Sequence, residues 1–183
     1  MSHTRNIPDS MVPEWVTRGL FWAWVVNDAE ELVTMGPWSR EHGAELARRS
    51  PLPLPEWVPE GMSETHVRVA ISIMGGTIYA LSARGAATGG RSRLFQAALL
   101  GFGAHGFSHM TNSLSWRGYT PGVLTAPTVV IPYSALAMRR LAHEGVLRVD
   151  RGTVAMAAIG APGLMFAIHD LTHRLLRSSR RRR

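Results

Sequence analysis

Asn27, Glu30 and Glu31, in the run Asn27-Asp28-Ala29-Glu30-Glu31, follow directly on the apolar segment Leu20-Phe21-Trp22-Ala23-Trp24-Val25-Val26. On a helix of 3.6 residues per turn, positions i, i+3 and i+4 share a face. Two acids at the inner end of an apolar helix cost free energy unless a metal ion, a basic partner or a proton uses them. A helix running out into water would instead leave them solvated. Further along, His105 and His109 are four residues apart, and His169 and His173 repeat that spacing with Asp170 beside them. A His pair at i, i+4 points both imidazoles the same way, which is how helices present metal ligands. Bundle metal sites add Glu from neighbouring helices. The candidate ligands are therefore Glu30, Glu31, His105, His109, His169 and His173. Imidazole with carboxylate favours iron, manganese or zinc. For His169 and His173 the plain alternative is a helix already leaving its apolar surroundings.

The same residues also admit chemistry without a metal. A buried carboxylic acid can protonate an alkene or epoxide while a His or a second carboxylate takes a proton back. The outcome is cyclisation or isomerisation of an isoprenoid- or polyketide-like substrate, with Asn27 positioning substrate or acid by hydrogen bonds. Phe21, Trp22, Trp24, Phe102, Phe107 and Trp116 offer π faces to a carbocation. Trp22, Trp24, Phe102 and Tyr119 are the candidate substrate contacts.

Composition narrows the field. The chain of 183 residues contains no cysteine, which excludes disulfides, Cys-based zinc sites and a thiolate nucleophile. No local Ser-His-Asp spacing argues for acyl transfer, and no Rossmann glycine pattern is present. All twenty basic residues are Arg and the net charge is +7. Six arginines crowd Arg174–Arg183. No nucleic-acid-binding motif accompanies them, so anionic lipid, not nucleic acid, is the expected partner. The opening Met1-Ser2-His3-Thr4-Arg5 lacks the charged and apolar regions of a signal peptide.

Mean hydropathy is near zero, but the charges are unevenly spread. Stretches free of Asp, Glu, Lys and Arg cover Val69–Ala83, Leu94–Trp116, Gly118–Met138 and Gly152–His169, of 15, 23, 21 and 18 residues. At about 1.5 Å per residue the two longest match a hydrocarbon layer of roughly 30 Å. With the segment before Asn27 they predict an all-α, polytopic membrane bundle of about five helices in one domain, a multi-pass protein of the cell membrane. A soluble helical bundle rich in Ala and Gly is the competing reading.

In order, residues 1–13 read as a flexible arm punctuated by Pro8 and Pro13. A first helix is expected from about Glu14 to Met35, ended by Gly36-Pro37. Ser39–Arg49 reads as a short polar helix, and the prolines of Ser50–Pro59 as an extended connection. The second helix starts near Ser63 and runs to about Ala83, with Gly75-Gly76 permitting close helix approach. A Gly- and Arg-rich loop over Arg84–Arg93 precedes the third, Leu94 to about Leu114. The fourth spans Pro121 to about Leu141 and is kinked by Pro127 and Pro132; the fifth spans Thr153 to about Leu176.

Three passages carry a family likeness. They are Asn27-Asp28-Ala29-Glu30-Glu31 leading through Leu32-Val33-Thr34-Met35 to Trp38, then His105-Gly106-Phe107-Ser108-His109, then Arg117-Gly118-Tyr119-Thr120-Pro121-Gly122-Val123-Leu124-Thr125 leading to Pro132-Tyr133-Ser134. On these, about residues 19–142 resemble the HXXEE-domain proteins, small bacterial proteins predicted to be integral to the membrane. The resemblance aligns Glu30 and Glu31 with the motif's two Glu and puts Asn27 where its His stands. Asn can ligate a hard cation through its amide oxygen, but it is a poor substitute for imidazole towards a transition metal. The expected function is a small membrane enzyme acting on a lipophilic substrate through Glu30, Glu31, Asn27, His105 and His109, with or without a divalent metal. The alternative is a non-catalytic carrier or transporter-like protein whose Glu and His relay protons, a role that five helices would fill more readily as a homo-oligomer.

Overall fold

The computed structural model describes residues 12–180, with side chains through Ser179. The expected arm up to Met11 and the tail's Arg181–Arg183 lie outside the described residues. Every regular element among the described residues is helical: α1 (Glu14–Arg49), α2 (Trp57–Glu60), α3 (Glu64–Ala87), α4 (Arg93–Trp116), α5 (Ile131–His143), α6 (Arg151–Ala155) and α7 (Ala161–Arg180). A wide π-type turn, Ala126–Val130, leads into α5; a second, Met156–Gly160, joins α6 and α7 into one rod.

Local chemistry sets several of the starts. Ser63 Oγ accepts the His66 N–H at 3.2 Å, and Ser92 Oγ accepts the Phe95 N–H at 3.4 Å. Asp150 Oδ1 accepts the Thr153 N–H at 2.8 Å. That bond holds the Asp150 carboxyl below its ordinary range, with Arg93 2.7 Å from its other oxygen.

Several boundaries differ from the sequence expectation: α2 winds one turn over Trp57–Glu60, at the end of the stretch Ser50–Pro59 expected to be extended, and α3 runs on to Ala87, into the expected Arg84–Arg93 loop. Helix α1 does not stop at Gly36-Pro37 but runs through Pro37 for 36 residues, absorbing the expected Ser39–Arg49 helix. Proline inside a helix removes one backbone bond and costs about 3 kcal/mol. Contacts distant in sequence offset that cost: Ser39 Oγ donates to Gly36 O and accepts the Met62 N–H at 2.9 Å, while Arg40 Nη1 donates to Met62 O at 3.1 Å. The expected fourth helix, in turn, begins only at about Thr125, because Pro121–Leu124 form a turn and the Leu124 and Thr125 amides are drawn to Glu30.

The long helices alternate in direction. Ser82 Oγ donates to Thr17 O, which sets α3 antiparallel to α1. Tyr133 Oη donates to Val16 O and Thr125 meets Asn27, which sets α5 antiparallel to α1 as well. The α6–α7 rod runs beside α4, from the Arg93–Asp150 pair onward, and crosses α3 where His66 meets His169. Val16, Leu20, Phe95, Leu99, Val130 and Leu141 are fully buried between these helices. Gly75 lets α3 approach α1: a Cβ there would sit 2.8 Å from the Trp24 ring. This is the close approach that the glycine pair implies.

One helix, the 29-residue stretch Arg151–Ser179, is long and apolar enough to cross a membrane, and only 11% of its apolar window is buried. A core helix of that composition would be mostly buried. The other helices among the described residues do not reach that standard by length and composition, since Gly, Ser, Thr and His dilute α3 and α4 and acids interrupt α1.

Candidate metal centre

Helix α1 carries Asn27 and Glu31 inward on successive turns; Asn27 is fully buried and Glu31 is 9% exposed. Helix α4 crosses the same level with His105 and His109. Glu31 Oε1 lies 3.1 Å from His109 Nε2 and 3.6 Å from His105 Nε2, and the two imidazole nitrogens are 2.8 Å apart. The three ligand atoms fall within 4.8 Å of one another, the one such set of three or more His, Asp or Glu among the described residues. Ligands on a tetrahedral ion with bonds of 2.0–2.1 Å are about 3.3 Å apart, so the observed triangle already has the right size.

Further residues hold this triangle in place. Asn27 Nδ2 donates to Glu31 Oε1 at 3.1 Å, the same oxygen that faces both imidazoles. Asn27 Oδ1 lies 3.1 Å from Thr125 Oγ1, whose single proton is shared with Glu30 Oε2 at 2.7 Å; with Nδ2 given to Glu31, this sets which way the amide points. The His109 ring rests on Gly122, whose φ is +82° and whose missing Cβ would fall 2.4 Å from the ring. Only glycine meets both conditions at no steric cost.

Glu30 is not in the cluster. Adjacent helix residues are about 100° apart around the axis, so Glu30 faces the loop after α4 instead. Its carboxylate accepts from Tyr119 Oη at 2.7 Å, Thr125 N–H at 2.9 Å, Thr125 Oγ1 at 2.7 Å and Leu124 N–H at 3.3 Å. Glu30 is thus tied to the Arg117–Thr125 loop and lies outside the Glu31–His105–His109 set. The loop's other end is tied by Trp38 Nε1, which donates to Tyr119 O, and by the Trp38–His42–Trp116 ring stack with Arg49 over Trp116.

His169 and His173 are also absent from this cluster. They lie on α7 against His66 and Trp57, in a second group of imidazoles. The proposed substrate contacts do not share a pocket. Trp24 and Phe102 are packed in the core, Trp22 points outward at 65% exposure, and Tyr119 serves Glu30. A small apolar cavity of about 90 Å³ between α1 and α2 is lined by Met35, Trp38, Leu46, Trp57 and Met62 and includes none of the cluster. The sequence marks Gly122, Thr125 and the buried Asp28, whose Oδ2 is 3.5 Å from Asn27 Nδ2, only as parts of family-like passages with no role of their own, and does not mark His66 at all.

Chemically, two imidazoles and one carboxylate make a site for iron, manganese or zinc with coordination positions left over. Glu31 and His109 are nearly enclosed, whereas the His105 side chain is 36% exposed, so the cluster opens on that side. No curated protein and no solved structure matches the chain. A family described as "protein of unknown function with HXXEE motif" matches residues 19–137, a span that contains the run from Asn27 to Glu31, both α4 histidines and the loop that covers them; the chain belongs to this family.

Proposed function

We propose that this chain is a small multi-pass membrane metalloenzyme in which Glu31, His105 and His109 hold one divalent transition metal. The convergence of those three ligand atoms inside the bundle carries the reading. A structural metal site is closed by four protein ligands, whereas a catalytic one keeps a position for water or substrate. Three ligands with an opening beside His105 fit the second kind. A bound metal supplies a Lewis acid or an activated water.

The chain's own residues do the rest. Asn27 orients the ligand oxygen, Gly122 seats His109, and Glu30 keeps the covering loop in register. A lipophilic substrate of the isoprenoid or polyketide kind suits the surroundings. Val33, Phe107, Leu114, Leu136 and Ile159 are all more than half exposed on several different helices, as the outside of a bundle facing lipid would be. The alternating helix directions and the outward-facing Arg151–Ser179 rod support several crossings.

Metal analysis of protein purified in detergent tests the reading. Wild type and Glu30→Gln are expected to retain about one equivalent of iron, manganese or zinc more than Glu31→Gln and His109→Ala. Wild-type metal content in both of the latter, with native helix content, would overturn it.

A further inference from the structure

A second group of imidazoles lies between α3 and α7, outside the Glu31–His105–His109 set, with His169 near enough to Glu31 to feel its charge. His66 is 4% exposed, and its Nε2 is 3.0 Å from Nδ1 of His169. The two rings are 5.2 Å apart and nearly parallel. The Trp57 ring stacks on His169 at 5.0 Å, covering it from the α2 side. His173 follows one turn later on α7, its ring 6.4 Å from that of His66, and its Nε2 is buried without a hydrogen-bond partner. None of the three forms an ion pair among the described residues, unlike His105 and His109.

A neutral His–His hydrogen bond accounts for one nitrogen of His66 and one of His169. It leaves the buried nitrogen of His173 unexplained, and such an orphan is costly. We propose that His66, His169 and His173 form a second cation site, built of imidazole alone. Its ligand is an imidazole-seeking ion such as zinc or copper, whereas the carboxylate of the Glu31 centre also admits iron or manganese. Two nitrogens on a tetrahedral ion are about 3.3 Å apart, so the His66–His169 pair needs to open by only a few tenths of an ångström. Two imidazole rings on one tetrahedral ion with bonds of that length have centres about 5 Å apart, which the His66–His169 pair already meets. The His173 ring, 6.4 Å from that of His66, has to swing inward by roughly 1 Å or more to complete the set. The ion would clip the α6–α7 rod to α3.

Titration of chelator-stripped, full-length protein in detergent with Co(II) or Zn(II) separates this site from the Glu31 centre. The wild type is expected to bind two equivalents. His66→Gln and His173→Ala are each expected to bind one, and so is Glu31→Gln. Circular dichroism confirms that each variant is folded, and His173→Ala, at a half-buried position, guards against loss of fold in His66→Gln. A single wild-type equivalent that only Glu31→Gln removes would overturn this proposal and leave the Glu31 centre standing. A single equivalent that only His66→Gln and His173→Ala remove would do the reverse. No binding at all would overturn both.

Discussion

Replacing Gly122 with Ala adds one carbon, yet that carbon would fall within 2.4 Å of the His109 ring on a backbone at φ +82°. The ring must move, and with it one of three ligands. Gly122→Ala is therefore expected to lose most of its bound metal while keeping native helix content, measured by metal analysis and circular dichroism on the same sample. Asn27→Ala removes the donor to Glu31 Oε1 and leaves the ligand oxygen free to swing. Loss of such an outer partner usually weakens metal affinity by about 10- to 100-fold. Asn27→Asp, isosteric but without the donor, is expected to do no better. If Asn27→Ala binds metal as the wild type does, the positioning role is wrong. Some of this was legible in the chain itself. The His105–His109 pairing follows from i, i+4 spacing alone. The division of labour between Glu30 and Glu31 is implicit in the 100° step between neighbours, but which of them turns inward depends on Thr125, nearly a hundred residues away. His66 is a single histidine beside a helix cap, and no local pattern marks it; its partner is 103 residues distant.

At the scale of helices, what was legible is what is local. Ser63 and Ser92 sit at the starts of α3 and α4 because each offers an oxygen to an amide three residues on. Ser92→Ala is expected to lower stability by about 1 kcal/mol, seen as a lower midpoint in thermal or denaturant unfolding in detergent. What was not legible is what other helices impose. Nothing near Pro37 says that α1 continues through it; the reason lies at Met62, bonded to Ser39 and Arg40. Likewise, the delayed start of the fourth helix reflects amides given to Glu30 instead of to a first turn. The α1–α3 crossing has its own test. Gly75→Val places branched carbon against the Trp24 ring, where even a Cβ is too close. Overpacking of this kind usually costs about 1–3 kcal/mol. Gly76→Ala next to it, where a Cβ meets nothing within 4 Å, is the matched control and is expected to be neutral or slightly stabilising. Equal destabilisation by both would mean that the crossing is not as close as described.

For the whole molecule, the apolar side chains left outside the core make a prediction about the environment. With Val33, Leu114 and Ile159 each at least 70% exposed, the protein is expected to stay with the membrane fraction through a carbonate wash and to leave it only in detergent. Release by carbonate would contradict the multi-pass reading. The loop over the centre has a further consequence, for the order of events during synthesis. Glu31 and both α4 histidines exist once about 110 residues have been made, but the piece that seats His109 and steadies Asn27 comes later, at Gly122 and Thr125. A ribosome-bound intermediate that stops short of that loop would hold all three donor atoms and still lack the scaffold that aims them. If the Glu31 centre takes a metal, loading follows synthesis of that loop, and a nascent chain halted before residue 117 is expected to emerge empty.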